Sequence, residues 1–150
     1  MKIRQLTIEE AEFIAHRLAT ELMYQDDEPI PPFSTRSPGK LESCLAEPFQ
    51  TFDGKSLHYR FVDKAATLFY LITKDHCFGN GNKRMAVTLT TVFFYVNKRW
   101  LNVQPRALYE IACQVAESSP NEREVYTEAL TKFFLKNTTE MPHKTTKKTI

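Results

Sequence analysis

An all-α domain is the fold class this chain predicts, and three observations predict it. Apolar residues recur at helical spacing in most long segments. Helix-start signals precede several of those segments. The two strongest, Phe61 to Asp75 and Met85 to Asn97, run into and out of a tight glycine loop. The expected architecture is a bundle of roughly six helices in which that loop feeds a buried central helix.

The elements follow in order. Met1 to Leu6 suits a short extended entry, and Thr7-Ile8-Glu9-Glu10 forms a capping box. The helix it opens should run to about Met23 and bury Ile8, Ala11, Ile14, Leu18 and Leu22. His16 borders that stripe and is expected to be structural. Tyr24 to Gly39 is a loop in which Pro29, Pro31, Pro32 and Pro38 exclude helix up to Ser37. Its acidic cluster, Asp26-Asp27-Glu28, suits a solvated loop better than a metal site. Ser37 is the expected N-cap, and Pro38 the first residue, of a short helix carrying Leu41, Cys44 and Leu45. Phe49 to His58 lacks helical periodicity and holds an Asp53-Gly54 turn signal. Phe61 to Asp75 places Ala65, Leu68, Phe69 and Ile72 on one face. The helix after the glycine loop carries Val87, Leu89, Val92, Phe93 and Val96. Arg99 to Val103 is a break, and Pro105 restarts a helix with Leu108, Ile111, Ala112 and Val115 on one side. Ser119-Pro120-Asn121-Glu122 is a second capping box, opening a last helix that docks through Val125, Ala129, Phe133 and Phe134. The domain is expected over 1–135, with a disordered polar and basic tail over 136–150.

Composition narrows the function classes. The length of 150 residues suits one domain with a proper core. Twenty basic against eighteen acidic residues leave a net charge of +2, which is no electrostatic footprint for nucleic acid. Cys44, Cys77 and Cys113 are isolated, which argues for a reducing compartment and against a zinc site. Neither a secretory signal nor a membrane-length apolar run is visible, so the expected location is cytoplasmic.

The chemistry concentrates in His76-Cys77-Phe78-Gly79-Asn80-Gly81-Asn82-Lys83-Arg84. Asn82, Lys83 and Arg84 fall on the first turn of a helix, where unpaired N–H groups and the positive end of the helix dipole gather. Gly79 and Gly81 let the backbone approach a ligand closely, which makes an anion site. Lys83 and Arg84 add cationic donors, the arginine in a fork suited to phosphate. Cations in a first turn oppose the dipole, so a purely structural helix start would not choose them. His76 faces the same loop and can take a proton near neutral pH. A phosphate cradle beside a base points to transfer of a phosphate-containing group.

The stretch resembles the signature of the Fic/Doc superfamily at His76, Phe78, Gly81, Asn82, Lys83 and Arg84. Lys83, where the adenylyl-transferring branch has glycine, and Val87, where it has a second arginine, are similar to the death-on-curing (Doc) toxin branch. Leu41 to Pro48, Phe49 to His58 and Lys64-Ala65-Ala66 extend the resemblance, which covers about Ile3 to Leu135. One position departs from the pattern: Asn80 stands where the family has an acidic Mg²⁺ ligand. A neutral amide oxygen is at best a weak metal contact.

The resemblance implies a toxin of a toxin–antitoxin pair that uses ATP and Mg²⁺. It would transfer a phosphoryl group to a Ser or Thr hydroxyl of a translation protein, elongation factor Tu in the Doc branch. His76 would be the base, with Lys83 and Arg84 neutralising the transferring group. Gly79, Gly81, Asn82, Lys83 and Arg84 would hold the phosphates, while Phe78 pins the loop into the core. Phe52, Asp53, Gly54 and Lys55 would form a β-hairpin-like flap that aligns the protein substrate. The inhibitory-helix pattern of many Fic proteins fails at Ser118 to Glu122, so restraint is expected from a separate antitoxin protein. Two alternatives stand beside this reading. One is an AMP-transferring enzyme of the Fic type. The other is a catalytically weak nucleotide-binding protein silenced at Asn80.

Overall fold

The structure, a computed structural model, describes residues 2–22 and 29–141. Asp26-Asp27-Glu28, the side chain of Leu22 and residues 142–150 lie outside the described part. Among the described residues the fold is all-α: six helices with two small antiparallel strand pairs.

Helix α1 runs as three consecutive segments, Ile8–Glu10, a π-helical Ala11–His16 and Arg17–Leu22. The Thr7–Glu10 capping box opens it as expected. The buried stripe differs from the expected one. Ala11, Ala15 and Ala19 are fully buried, whereas Ile14 is 42% exposed and Ile8 and Leu18 are half-buried. The π turn carries one extra residue per hydrogen-bonded loop and so rotates the face. Three alanines then let α1 pack closely on the helix that follows the glycine loop. Phe13 and Ile14 are left in solvent.

Helix α2, Lys40–Ala46, buries Leu41, Cys44 and Leu45 as predicted. Its N-cap is Gly39 at φ +79°, not Ser37. The Ser37 N–H instead donates to the Cys77 carbonyl at 2.8 Å. That bond straps the preceding loop to the motif and keeps Ser37 outside the helix.

A 3-10 turn, Glu47–Phe49, leads into the hairpin of β1 (Thr51–Phe52) and β2 (Lys55–Ser56). Asp53 and Gly54 both have positive φ, +54° and +76°, which matches the right-handed twist of a tight hairpin.

Helices α3 (Phe61–Lys74) and α4 (Asn82–Val96) form the central pair. Phe61 stacks on Phe93 at 4.9 Å and meets Phe94 edge-on at 4.8 Å. Phe134 closes the cluster against Phe94 and Phe69. Burying each of these rings contributes on the order of 1.5–3 kcal/mol. The loop between α3 and α4 is therefore clamped at both ends by rigid helices. Asn97, 3% exposed, binds the entry segment: its Oδ1 accepts from Arg4 N–H at 2.7 Å, and its Nδ2 donates to the Arg4 carbonyl at 3.0 Å.

Helix α5 (Pro105–Glu117) buries Leu108, Ala112 and Val115, with Ile111 half-buried. The Ser119–Glu122 capping box opens a 3-10 turn before α6 (Arg123–Lys136). Helix α6 docks through Leu130 and Phe134, with Phe133 half-buried. Val125 is 65% exposed and Ala129 is exposed, each one position away from the face actually used.

Two expectations change at the end of the chain. Arg99–Leu101 is a strand, β3, rather than a break. It pairs with β4, Thr138–Glu140, inside the stretch expected to be a tail. Its Thr-Thr-Glu composition carries no apolar alternation, so backbone bonds and not burial hold it.

Candidate active site

Helix α3 ends at Lys74, and Asp75 serves as its C-cap. The next residue, His76, has φ +52° and is exposed. That position after a helix commonly takes glycine, because a left-handed residue costs no steric strain there only without a Cβ. Here an imidazole occupies it and is held out to solvent directly before the buried Cys77.

The loop beyond His76 is fastened from below. Phe78, 2% exposed, lies against Phe33 and His16, at 6.0 and 6.2 Å between ring centroids. His16 is structural, as expected: its Nε2 meets the Pro31 carbonyl at 2.9 Å. Cys77 is fully buried with its Sγ 3.5 Å from that of Cys44, whose thiol also donates to Asp75 Oδ2 at 3.4 Å. Hydrogen bonding to Cys77 and burial push the Cys44 thiol well above its ordinary value. Cys77 is thus a packed residue.

Asn82 staples the loop. Its Oδ1 accepts from Phe78 N–H at 3.0 Å and its Nδ2 donates to the Phe78 carbonyl at 2.9 Å. Both ends of that amide serve loop shape. Gly81, the N-cap of α4, has φ +86°. A Cβ there would stand 2.7 Å from Ile30 Cγ1. Its N–H donates to Asn80 Oδ1 at 2.8 Å, and Asn80 Nδ2 reaches the Pro29 carbonyl at 3.4 Å. Gly79 differs: a Cβ there would meet nothing within 4 Å, so it is the glycine with open space above it.

The start of α4 has no side-chain cap. Gly81 brings no side chain to cap it, and no acidic residue stands in the first turn. Among the described residues, the N–H groups of Asn82 and Lys83 have no acceptor, and the half-buried Lys83 ammonium has no hydrogen-bond or ion-pair partner. Arg84, expected as a phosphate-suited cationic donor, differs from Lys83 in its burial. It is 3% exposed and already engaged within the protein. The loop therefore gathers an exposed imidazole, open backbone at Gly79, two unpaired amides and one ammonium, over a buried guanidinium.

The neutral amide of Asn80 is a weak ligand for a divalent metal. Among the described residues there is no group of three His, Cys, Asp or Glu side chains that could hold one. The oxygen of Asn80 is already accepting from Gly81.

The flap residues Phe52, Asp53, Gly54 and Lys55 lie together on the β1–β2 hairpin, all exposed. Phe49 anchors its base, edge-on to Phe93 at 6.1 Å, while Phe52 and Tyr59 stand 75% and 82% exposed. Sequence reasoning missed two supporting residues. Ile30 covers Gly81, and Lys64 lies under the hairpin. Lys64 had one visible signal, a lysine between Phe61 and Leu68 on the buried face of a helix. A shallow open depression lined by Arg60, Phe61, Arg99, Leu135, Thr138 and Glu140 lies at the opposite end of the α3–α4 pair and holds none of the motif residues.

A family model described as "Fic/DOC family" matches residues 5–94. A protein named "Toxin Doc" from Mycolicibacterium smegmatis is 34% identical over 62 residues, which covers 41% of this chain and 48% of that protein. The chain thus matches about half the length of that curated relative. No solved structure matches. No helix among the described residues is long and apolar enough to cross a membrane.

Proposed function

The chain belongs to the Fic/DOC family, and from that premise we propose that it is a Doc-like toxin. It transfers the γ-phosphoryl group of ATP to a Ser or Thr hydroxyl of a translation protein, with elongation factor Tu as the candidate target. The observation that carries this reading is the pairing of an exposed, left-handed His76 with an uncapped helix start four residues past a buried Phe78.

The residues divide the work as follows. The amides of Asn82 and Lys83, with the Lys83 ammonium, receive phosphate oxygens at the positive end of α4. Gly79 leaves room for them. Arg84 adds positive charge from beneath the loop. The His76 imidazole takes the proton of the target hydroxyl as its oxygen bonds to the γ-phosphorus. The bond from that phosphorus to the β–γ bridging oxygen breaks, and ADP leaves. Magnesium enters as part of the nucleotide substrate, and no step here depends on a protein-held metal. The hairpin aligns the target through its backbone edges. A separate antitoxin protein restrains the activity, in keeping with the name of the similar toxin.

Asn80 and the buried Arg84 favour one second reading, a nucleotide-binding protein with weak turnover. ATP labelled separately at the α and γ positions, incubated with the protein, Mg²⁺ and a bacterial lysate, tests both. Label from γ alone on a protein band supports the kinase. Label from α identifies an AMP transferase and refutes it. Binding of ATP with no transfer supports the weak-turnover reading.

A further inference from the structure

Lys64 carries the most heavily satisfied buried charge outside the motif. It sits on α3 at 6% exposure. Its ammonium donates to the His58 carbonyl at 2.6 Å, to Ser56 Oγ at 3.1 Å and to the Pro48 carbonyl at 3.2 Å. Phe49 presents its ring 4.8 Å from the same nitrogen. An ammonium has three N–H donors and no acceptor, so every donor is used. The acceptors come from both sides of the hairpin: Pro48 precedes β1, Ser56 belongs to β2 and His58 follows it. One turn further along α3, Thr67 Oγ1 meets His58 Nδ1 at 3.2 Å, a second tie on the same helix face.

The hairpin has little else to orient it. Each strand is two residues long, and no residue from Thr51 to Ser56 is buried. A two-stranded ribbon of that kind is marginal by itself. Packing does not explain a lysine here either, since an apolar side chain would fill the interior of α3 without the cost of burying a charge. What the lysine supplies is a fixed angle between ribbon and helix. His76 lies at the far end of α3, ~18 Å along the axis from Lys64. A tilt at the anchor shifts the backbone edges that the hairpin offers to a target.

We infer that Lys64 is a positioning residue, which fixes the base of the β1–β2 hairpin and so sets the affinity for the polypeptide target rather than the turnover of bound target. The inference rests on the reading of the hairpin as a target-aligning flap.

Hydrogen exchange on the full chain tests the anchor without reference to the reaction. In Lys64→Met the flap amides, Leu57 N–H to Gln50 O among them, should exchange at least ~10-fold faster, while α3 and α4 change less than ~2-fold. Ser56→Ala removes one acceptor and should accelerate the flap by ~2–3-fold; it decides the matter if Lys64→Met does not fold. In γ-label transfer to elongation factor Tu, Lys64→Met should raise the KM for that protein ~10-fold with kcat and the KM for ATP within ~2-fold, the signature of lost uniform binding. Lys64→Arg should recover part of the loss. Unchanged flap exchange, equal acceleration throughout α3 and α4, or a fall in kcat at constant KM would each overturn the inference. If wild type labels no protein, the proposed reaction falls, and exchange alone decides the anchor.

Discussion

His76 joins a backbone rule and a chemical role at one position, so substituting it separates them. At φ +52° an L-residue carries roughly 1–2 kcal/mol of strain, and His tolerates the region better than most, so the low end applies. His76→Ala keeps that backbone and removes an exposed ring, which should change stability by less than about 0.5 kcal/mol. His76→Gly releases the strain but lowers stability by about 0.5–1 kcal/mol through the freer unfolded chain. The net for His76→Gly is between about 0 and +0.5 kcal/mol relative to wild type. For a chain of this size that is a Tm change of about 0 to +2 °C. Urea melts of the three proteins, with γ-label transfer measured alongside, form the assay. Both variants should lose ~10²-fold or more in transfer. A glycine variant more than about 1 kcal/mol less stable than the alanine variant would refute the strained-backbone argument. Transfer retained by either variant would refute His76 as the base.

Four further outcomes follow from the same contacts. Gly81→Ala meets both a left-handed backbone and Ile30 at 2.7 Å, so it should lose about 2–4 kcal/mol by denaturant melts; pairing it with Ile30→Ala should restore the steric part only. The Arg4 guanidinium, hydrogen-bonded at 2.8 Å, holds the Glu10 carboxyl below its ordinary value, against an opposing effect of burial. Its contribution, about 0.5–1 kcal/mol, is therefore complete above the unfolded carboxylate pKa and lost as pH falls through the lowered folded one; the Tm gap between wild type and Glu10→Gln should close on acidification and stay constant above about pH 5.5. Native-state alkylation should reach half-buried Cys113 first and leave Cys44 and Cys77 for unfolding; a Cys77 as fast as Cys113 by mass spectrometry would contradict the packed loop. Asn80→Asp should raise γ-label transfer if turnover is limited by the metal, and unchanged transfer would place the limit elsewhere.

Much of the fold was legible because its strongest signals are periodic or punctuating. The α3–loop–α4 unit, both capping boxes, the Asp53-Gly54 turn and the proline start of α5 all rest on residue types with one local meaning. The misses share a physical cause as well. Helical templates weight large apolar residues and assume 3.6 residues per turn. They found Ala11 but chose Ile14 and Leu18 over Ala15 and Ala19, which the face rotated by the π turn buries instead. At Ser37 the cap expectation failed: the helix starts at Lys40 behind Gly39, and Ser37 is tied to Cys77 across the fold. The β3–β4 pair joins Arg99–Leu101 to Thr138–Glu140 through backbone alone, and backbone pairing at that separation leaves no mark on composition.

The site shows the same division. Its candidate residues stood out where the chain breaks a local rule, with cations where a helix start prefers acids. Its support was not readable, because Ile30 over Gly81, Pro31 on His16 and Lys64 under the hairpin are contacts between distant segments. Asn80 lies between the two. Standing where the resemblance implies an acidic metal ligand, it fits the proposed weak-turnover reading. As an amide it accepts from Gly81 and donates toward Pro29 at once, and a carboxylate can only accept. An acid there would recover a ligand and forfeit the donor contact to the strap over the loop. The substitution is thus a trade between loop closure and metal affinity, and the geometry favours closure.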